Sequence, residues 1–305
     1  MVLSSGKMLL RTLIPERLRL YYGYKIAEQR FYRYLTDTLY LSVMPVELGP
    51  PMSERVAMLT CGFTEADSRR HAEHYPYFRL AFDLMLRFLR SLEHVSFNFR
   101  TVGSVLDFGC GSARFLRLLR CIDGMRLVGT DVNLECLEWC RNNVPGPEFH
   151  QNGLSPPLAF ASDASFDLIF AASVFTHIPV DLQAVWLCEM HRILRPGGVF
   201  LCTVLGSDTA KKMLGSEDLE SLRREGHLTL DARNPAVSHA TEAAGSWDVF
   251  QTRSHVVELF GSLFCMLDYQ ELGEQDLLVL QKPKKLILDP GRGGSNEARN
   301  EDVQG

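Results

Sequence analysis

Residues Val105 to Leu119 read VLDFGCGSARFLRLL, and two patterns meet inside that stretch. Val105, Leu106 and Phe108 make a short apolar run broken by one acid, Asp107, as in a buried strand that carries a polar group near its end. From Ser112 onward, Phe115, Leu116, Leu118 and Leu119 are available for burial at helical spacing, which predicts a helix over 112–122. Between the two lie Gly109 and Gly111, which permit the dihedrals and close backbone approach of a tight corner. A helix beginning at such a corner presents unpaired N–H groups to whatever occupies it.

The same rhythm repeats downstream. RLVGTDV (126–132) predicts a second strand and NLECLEWCRNNV (133–144) its helix, with Asn133 as N-cap. PEFHQN (147–152) is a short third strand. FDLIFAASV (166–174) is a nearly all-apolar fourth, as expected where both faces of a parallel sheet are covered. The helix PVDLQAVWLCEMHRIL (179–194) is closed by RPGG, where Pro196 forbids continuation and a glycine suits a left-handed exit, and VFLCTVLG (199–206) is the fifth strand. Alternation with short links requires a parallel sheet with right-handed crossovers: a doubly wound α/β fold. SLFCMLDYQEL and DLLVLQKP are separated only by GEQ (273–275), too short for a crossover, so the chain ends its sheet with an antiparallel hairpin.

Apolar periodicity predicts helices over 26–40 and 64–92, the latter including YPYFRLAFDLMLRFL, with MPVELGPPMS (44–53) as a loop between them. The organisation expected is a helical extension or lid over 1–100, a core over 101–283 with an insertion at about 207–260, and a disordered tail over 284–305. A hydrophobic fraction of 46% and a net charge of -5 are those of an ordinary soluble protein without an overall pull toward nucleic acid. The 8 cysteines have no CxxC pairing or framework spacing and read as reduced core thiols; no metal site is expected, Cys136 and Cys140 lacking matched partners. With no transmembrane segment or secretory signal, a cytoplasmic location is expected. The basic, aromatic segment from Lys7 to Arg33 suits either helix packing or peripheral contact with an anionic membrane surface.

In an open parallel sheet, ligands settle beyond the carboxyl ends of the strands where strand order reverses, and Asp107 is expected there. A dinucleotide corner needs GxGxxG, but the third glycine position here is Arg114. An acid at the strand end would also repel a diphosphate, whereas it suits a ligand bearing an ammonium or sulfonium. About 20 residues after the corner, Asp131 ends the second strand, where a carboxylate can accept both hydroxyls of a ribose. Together the two acids describe a site for adenosine carrying a positive centre.

LDFGCGSARF, GTDVN, SFDLIFAASVFTHI and MHRILRPGGVFL, in that order, resemble the class I S-adenosylmethionine-dependent methyltransferases over about 101–283. The resemblance implies a Rossmann-like sheet of seven strands and S-adenosylmethionine as cofactor, with S-adenosylhomocysteine as product. It also implies that Asp107, Gly109 and Gly111 line the methionine end, that Asp131 holds the ribose, and that Val132 touches the adenine. Asn152, in a neighbourhood without an acid, takes the place that meets the adenine amino group, and the backbone at Ala172 and Ser173 closes the floor. His177, just past the fourth strand in VFTHIP, is the candidate base or acceptor-positioning group, with ring packing or helix capping as the structural alternative.

The acceptor side is expected in the N-terminal helices and the insertion. His71 and His74 share a helix face without an evident third metal ligand; Tyr75 or Tyr77, and His227, His239, Trp247 and His255, could line a pocket or simply pack. AASVFTHI after the fourth strand lacks the Asn/Asp-Pro-Pro-Tyr motif that holds a planar amine in resembling enzymes, and no basic-aromatic stripe suits nucleic acid. A small molecule methylated on a hydroxyl is the expected acceptor. Two other classes fit parts of the pattern: a catalytically inactive protein that binds the cofactor or a partner, and a nicotinamide oxidoreductase.

Overall fold

The computed structural model describes residues 15–44, 46–49, 74–231 and 247–284. Helix α1 (Glu16–Arg33) runs into a π turn (Tyr34–Thr38) and packs against α2 (His74–His94). β1 (Ser104–Phe108), α3 (Arg114–Leu119), β2 (Arg126–Asp131), α4 (Leu134–Asn143), β3 (Glu148–Gln151), β4 (Phe166–Ala171), α5 (Val180–Ile193) and β5 (Leu194–Val204) follow. Then come α6 (Ser207–Met213), α7 (Ser216–Glu225), β6 (His227–Asp231), β7 (Trp247–Gln251), α8 (Arg253–Gly261), β8 (Cys265–Glu271) and β9 (Asp276–Gln281). The main sheet has 7 strands in the order β3-β2-β1-β4-β5-β9-β8. β1 to β5 are mutually parallel, and the closing β8–β9 hairpin is antiparallel, β9 lying antiparallel to β5 as well.

The side-chain alternation of strands divides the core in two. Val105, Leu168, Phe170, Leu201 and Val279 face one layer with α2, α3 and α4; Leu106, Phe108, Ile169, Phe200 and Leu280 face the other with α5 and α8. Phe88 of α2 stacks on Phe170 at 5.7 Å and tilts against Phe115 of α3 at 5.3 Å, so the N-terminal helices share the core of the sheet. Strand order reverses between β1, whose neighbours are β2 and β4, and that reversal opens the crevice at their carboxyl ends.

Several local expectations change. The helix expected over 112–122 is shorter, because Ala113 sits in the left-handed region (φ 59) and its N–H donates to the Cys110 carbonyl, so a turn precedes the first helical residue. The first helix begins at Glu16, ten residues earlier than expected, directly after Pro15, whose fixed φ suits a helix entry. RPGG is not the helix exit: α5 ends at Ile193 with an extended Leu194, and the left-handed Gly197 (φ 82) belongs to a bulge in β5, where register with β4 shifts between Phe166 and Leu168. Asn133 caps α4 as expected, its side chain accepting from the Cys136 N–H at 3.0 Å. Cys188 and Cys265 are exposed rather than core thiols, while Cys110, Cys121, Cys136, Cys140 and Cys202 are buried and free; Cys61 lies outside the described residues. Residues 285–305 of the expected tail also lie outside them.

The insertion contains a feature its mixed composition hid, a second sheet of two antiparallel strands, β6 and β7. Val256 and Phe260 of α8 are buried in the main core rather than in that small sheet.

Candidate active site

Asp107 lies on β1 one residue before its end and is 2% exposed. Beyond Phe108 the chain folds back over β2, the N–H groups of Gly109 and Cys110 both reaching the Thr130 carbonyl at 2.8 and 3.0 Å. Gly109 has φ +74, and a Cβ there would lie 2.4 Å from Val174 Cγ2, so glycine is required by conformation and by space. That contact joins the glycine corner to the loop after β4. Asp131 then locks the corner: Oδ2 accepts from the Gly111 N–H at 2.8 Å and Oδ1 from the Asn133 N–H at 2.9 Å. Each oxygen of an ionised carboxylate keeps a second lone-pair direction, so these bonds leave acceptor capacity for hydroxyl donors.

The electrostatics follow from burial. Desolvation, with the nearby charge of Asp131 adding to it and Arg114 opposing it, pushes the Asp107 carboxyl up to about 7. Asp107 Oδ2 is buried and has no hydrogen-bond partner among the described residues. Burial also raises Asp131, against the backbone N–H groups of Asn133 and Gly111, which favour its charged form. A corner with a buried acid, a half-buried one beside it and an orphaned oxygen suits a ligand that brings positive charge and hydroxyl donors.

The other expected residues gather around this corner. The Asn152 N–H donates to the Asp131 carbonyl at 3.1 Å; its Oδ1 is 2.9 Å from the Thr130 hydroxyl and its Nδ2 donates to the Gly153 carbonyl. The Val132 carbonyl accepts from Gln151 Nε2 at 3.0 Å. Ser173 is left-handed (φ 57), and its N–H donates to Thr203 Oγ1 at 2.8 Å. Its hydroxyl meets Gln275 Oε1 at 3.0 Å, and the Thr203 hydroxyl meets the same oxygen at 2.6 Å. Gln275 was missed in the sequence: it lies in the β8–β9 turn, 102 residues from Ser173, and no local pattern links the two.

His177 has Nδ1 2.8 Å from the Trp247 carbonyl and 3.6 Å from Asp248 Oδ1, both on β7. The Val249 N–H also donates to the Thr176 carbonyl at 2.9 Å, so the small sheet holds the loop after β4. A proton on Nδ1 directed at Trp247 leaves Nε2 with its lone pair.

Tyr77 is not an open pocket wall: it is buried, its hydroxyl 2.6 Å from Ser112 Oγ and its ring beneath the Arg114 guanidinium at 4.9 Å, so it braces the glycine corner from α2. His227 and His255 face each other at 4.8 Å between ring centroids, away from Asp107 in sequence and element. His71 and His239, and the side chains of His74 and Tyr75, lie outside the described residues. Among the described residues no group of three or more His, Cys, Asp or Glu could hold a metal, and no helix is long and apolar enough to cross a membrane.

Residues 106–202, from the strand bearing Asp107 to the middle of β5, match the family described as "Methyltransferase domain". That match falls on the same stretch whose motifs LDFGCGSARF, GTDVN and MHRILRPGGVFL resemble the class I S-adenosylmethionine-dependent methyltransferases. It is 36% identical over 98 residues to an uncharacterized methyltransferase of Synechocystis, an alignment covering 32% of this chain and 44% of that protein; the match thus spans less than half the length of this relative. Among solved structures, it is similar to the 1,6-didemethyltoxoflavin-N1-methyltransferase of Burkholderia thailandensis, at 19% identity and TM-score 0.48, over 79% of this chain and 95% of that one. It is also similar to a SAM-dependent methyltransferase of Methanosarcina mazei, at 20% identity and TM-score 0.45, over 60% and 93%. S-adenosylmethionine is the cofactor that the resemblance to class I methyltransferases implies. The residues present fit it: the orphaned Asp107 oxygen calls for a cation, and Asp131 has room for hydroxyl donors.

Proposed function

We propose that this chain transfers a methyl group from S-adenosylmethionine to a small-molecule acceptor, with a hydroxyl as the acceptor group. The observation that carries the reading is the buried, unpartnered oxygen of Asp107 beside Asp131 in a corner closed by Gly109 and Gly111. When bound, S-adenosylmethionine supplies an activated methyl on a sulfonium. Asp107 and the backbone of Gly109 and Gly111 would hold the methionine end, Asp131 the ribose, Val132 and Asn152 the adenine, and Ser173 the floor. Holding two reactants in line is worth roughly 7 to 11 kcal/mol in well-oriented reactions, so alignment is the main task of these residues.

His177 then serves the acceptor. With Nδ1 turned to the Trp247 carbonyl, Nε2 is the nitrogen available to take a hydroxyl proton as the oxygen is methylated. Support for this role comes from that tautomer and from the position of His177 just past β4, in the loop whose Val174 abuts Gly109.

Calorimetry with S-adenosylmethionine and with NADH tests the donor, and S-adenosylhomocysteine formation over a panel of hydroxyl-bearing and amine-bearing small molecules tests the acceptor. Binding of S-adenosylmethionine alone, with turnover on hydroxyl compounds, is expected. No S-adenosylmethionine binding, or turnover confined to amines or macromolecules, would contradict the proposal.

A further inference from the structure

Most arginines on this surface are spoken for. Arg192 pairs with Glu189 and Asp163, Arg126 with Glu148, and Arg195 with Asp167, each within 2.9 Å. A different arrangement lies between α1, α2 and β8. There a cleft of about 440 Å³ is lined by Arg30 of α1, Asp83, Arg87, Arg90 and Ser91 of α2, and Gln270 of β8. Three guanidinium groups face one carboxylate, a local charge of +2 (3 − 1) in a chain whose net charge is -5. Even that carboxylate is shared, since Asp83 Oδ2 lies 3.8 Å from Arg79 Nε outside the cleft.

Among the described residues, none of the three guanidiniums forms an ion pair or donates a hydrogen bond. Glu93, the other acid near Arg90, accepts from the Tyr34 hydroxyl, while Arg90 itself lies over the Tyr34 ring at 5.7 Å. Arg87 and Arg90, three residues apart on one helix, are neighbours of like charge and repel each other. The back wall is fixed: Gln270 Nε2 donates to Ser91 Oγ at 3.1 Å and to Asp268 Oδ2 at 2.6 Å, and the Ser91 hydroxyl donates to the Arg87 carbonyl at 3.0 Å. Guanidinium groups present planar forks of N–H donors that match phosphoryl and carboxylate oxygens two at a time.

We propose that this cleft between α1, α2 and β8 binds a dianionic phosphoryl group through Arg30, Arg87 and Arg90. No residue of the cofactor corner lines it, so the inference stands whether or not the methyltransferase proposal holds. The phosphoryl group can belong to a soluble compound or to a lipid headgroup, and the chemistry recognised is the same.

The test uses the full chain at low ionic strength, with inorganic pyrophosphate in a calorimeter and, in parallel, co-sedimentation with phosphatidylcholine vesicles with and without phosphatidic acid. Pyrophosphate binding is expected, weakened at least tenfold in the double variant Arg87→Gln, Arg90→Gln and unchanged in Arg19→Gln, an exposed α1 position outside the cleft. S-adenosylmethionine affinity in the double variant should stay within about twofold, which shows that the fold is intact. Retention only by phosphatidic acid vesicles, lost in the double variant, would assign the site to a lipid headgroup. The proposal is overturned if neither probe binds, if Arg19→Gln weakens binding as much as the double variant, or if pyrophosphate competes with S-adenosylmethionine.

Discussion

The glycine corner and the loop after β4 are built on opposite principles. In the corner, residues 107–133 close on themselves: Gly109 and Cys110 reach Thr130, Gly111 reaches Asp131, and Asn133 reaches Asp131, all within about 20 residues of chain. In the loop after β4 nearly every defining contact is long-range, with His177 bonded to Trp247, Thr176 to Val249, and Ser173 to Gln275. The corner is therefore a local motif, and the loop after β4 is an assembly. The two meet at Val174, against Gly109.

That difference can be broken most severely at Gly109. Gly109→Ala forces a side chain into φ +74 and within 2.4 Å of Val174 Cγ2. Left-handed strain and the clash together are worth about 4 kcal/mol, so S-adenosylmethionine affinity should fall on the order of 1,000-fold by calorimetry. The loop after β4 answers differently. His177→Ala should lower kcat about 100-fold with S-adenosylmethionine affinity unchanged. An equal loss in cofactor affinity would return His177 to a packing role.

Gln275 sharpens the comparison, because it ties the two sides together. Its Oε1 takes both the Ser173 and Thr203 hydroxyls, while the neighbouring turn carbonyls accept from α6, Glu274 from Thr209 Oγ1 at 2.5 Å and Gly273 from Lys212. Gln275→Ala should raise KM for S-adenosylmethionine about three- to tenfold with a smaller change in kcat, and Gln275→Glu, which keeps the acceptor oxygen, should restore most of it. Unchanged KM would show that the Ser173 floor is held without the hairpin turn.

How much was legible follows the same division. The succession of parallel strands and helices and the hairpin ending rest on local apolar periodicity, and the corner of acids and glycines rests on residues whose type alone limits what they can do. Helix ends were less legible, since the left-handed Ala113 closes a turn onto the Cys110 carbonyl and the β5 bulge at Gly197 goes with a register shift against β4, neither of which composition announces. The β6–β7 sheet was not seen because its strands pair across fifteen intervening residues of mixed composition. Tyr77 could line a pocket or simply pack as far as the sequence goes; only the fold shows Ser112 at its hydroxyl.

If the buried acid Asp107 is kept for a cation, the pH dependence of S-adenosylmethionine binding must report it. In the ligand-free fold the Asp107 carboxyl lies near 7 against 3.8 for an ordinary aspartate, so the folded state retains a proton that the unfolded chain has lost. The associated stability is present below pH about 4 and is lost as pH rises toward 7, so ligand-free Asp107→Asn should melt higher than the native chain at pH 8. Cofactor binding should run the other way, strengthening as Asp107 ionises, with affinity falling roughly tenfold between pH 8 and 6. In Asp107→Asn it should be about tenfold weaker at pH 8 and flat with pH. Equal affinity and the same pH profile in both proteins would contradict the account.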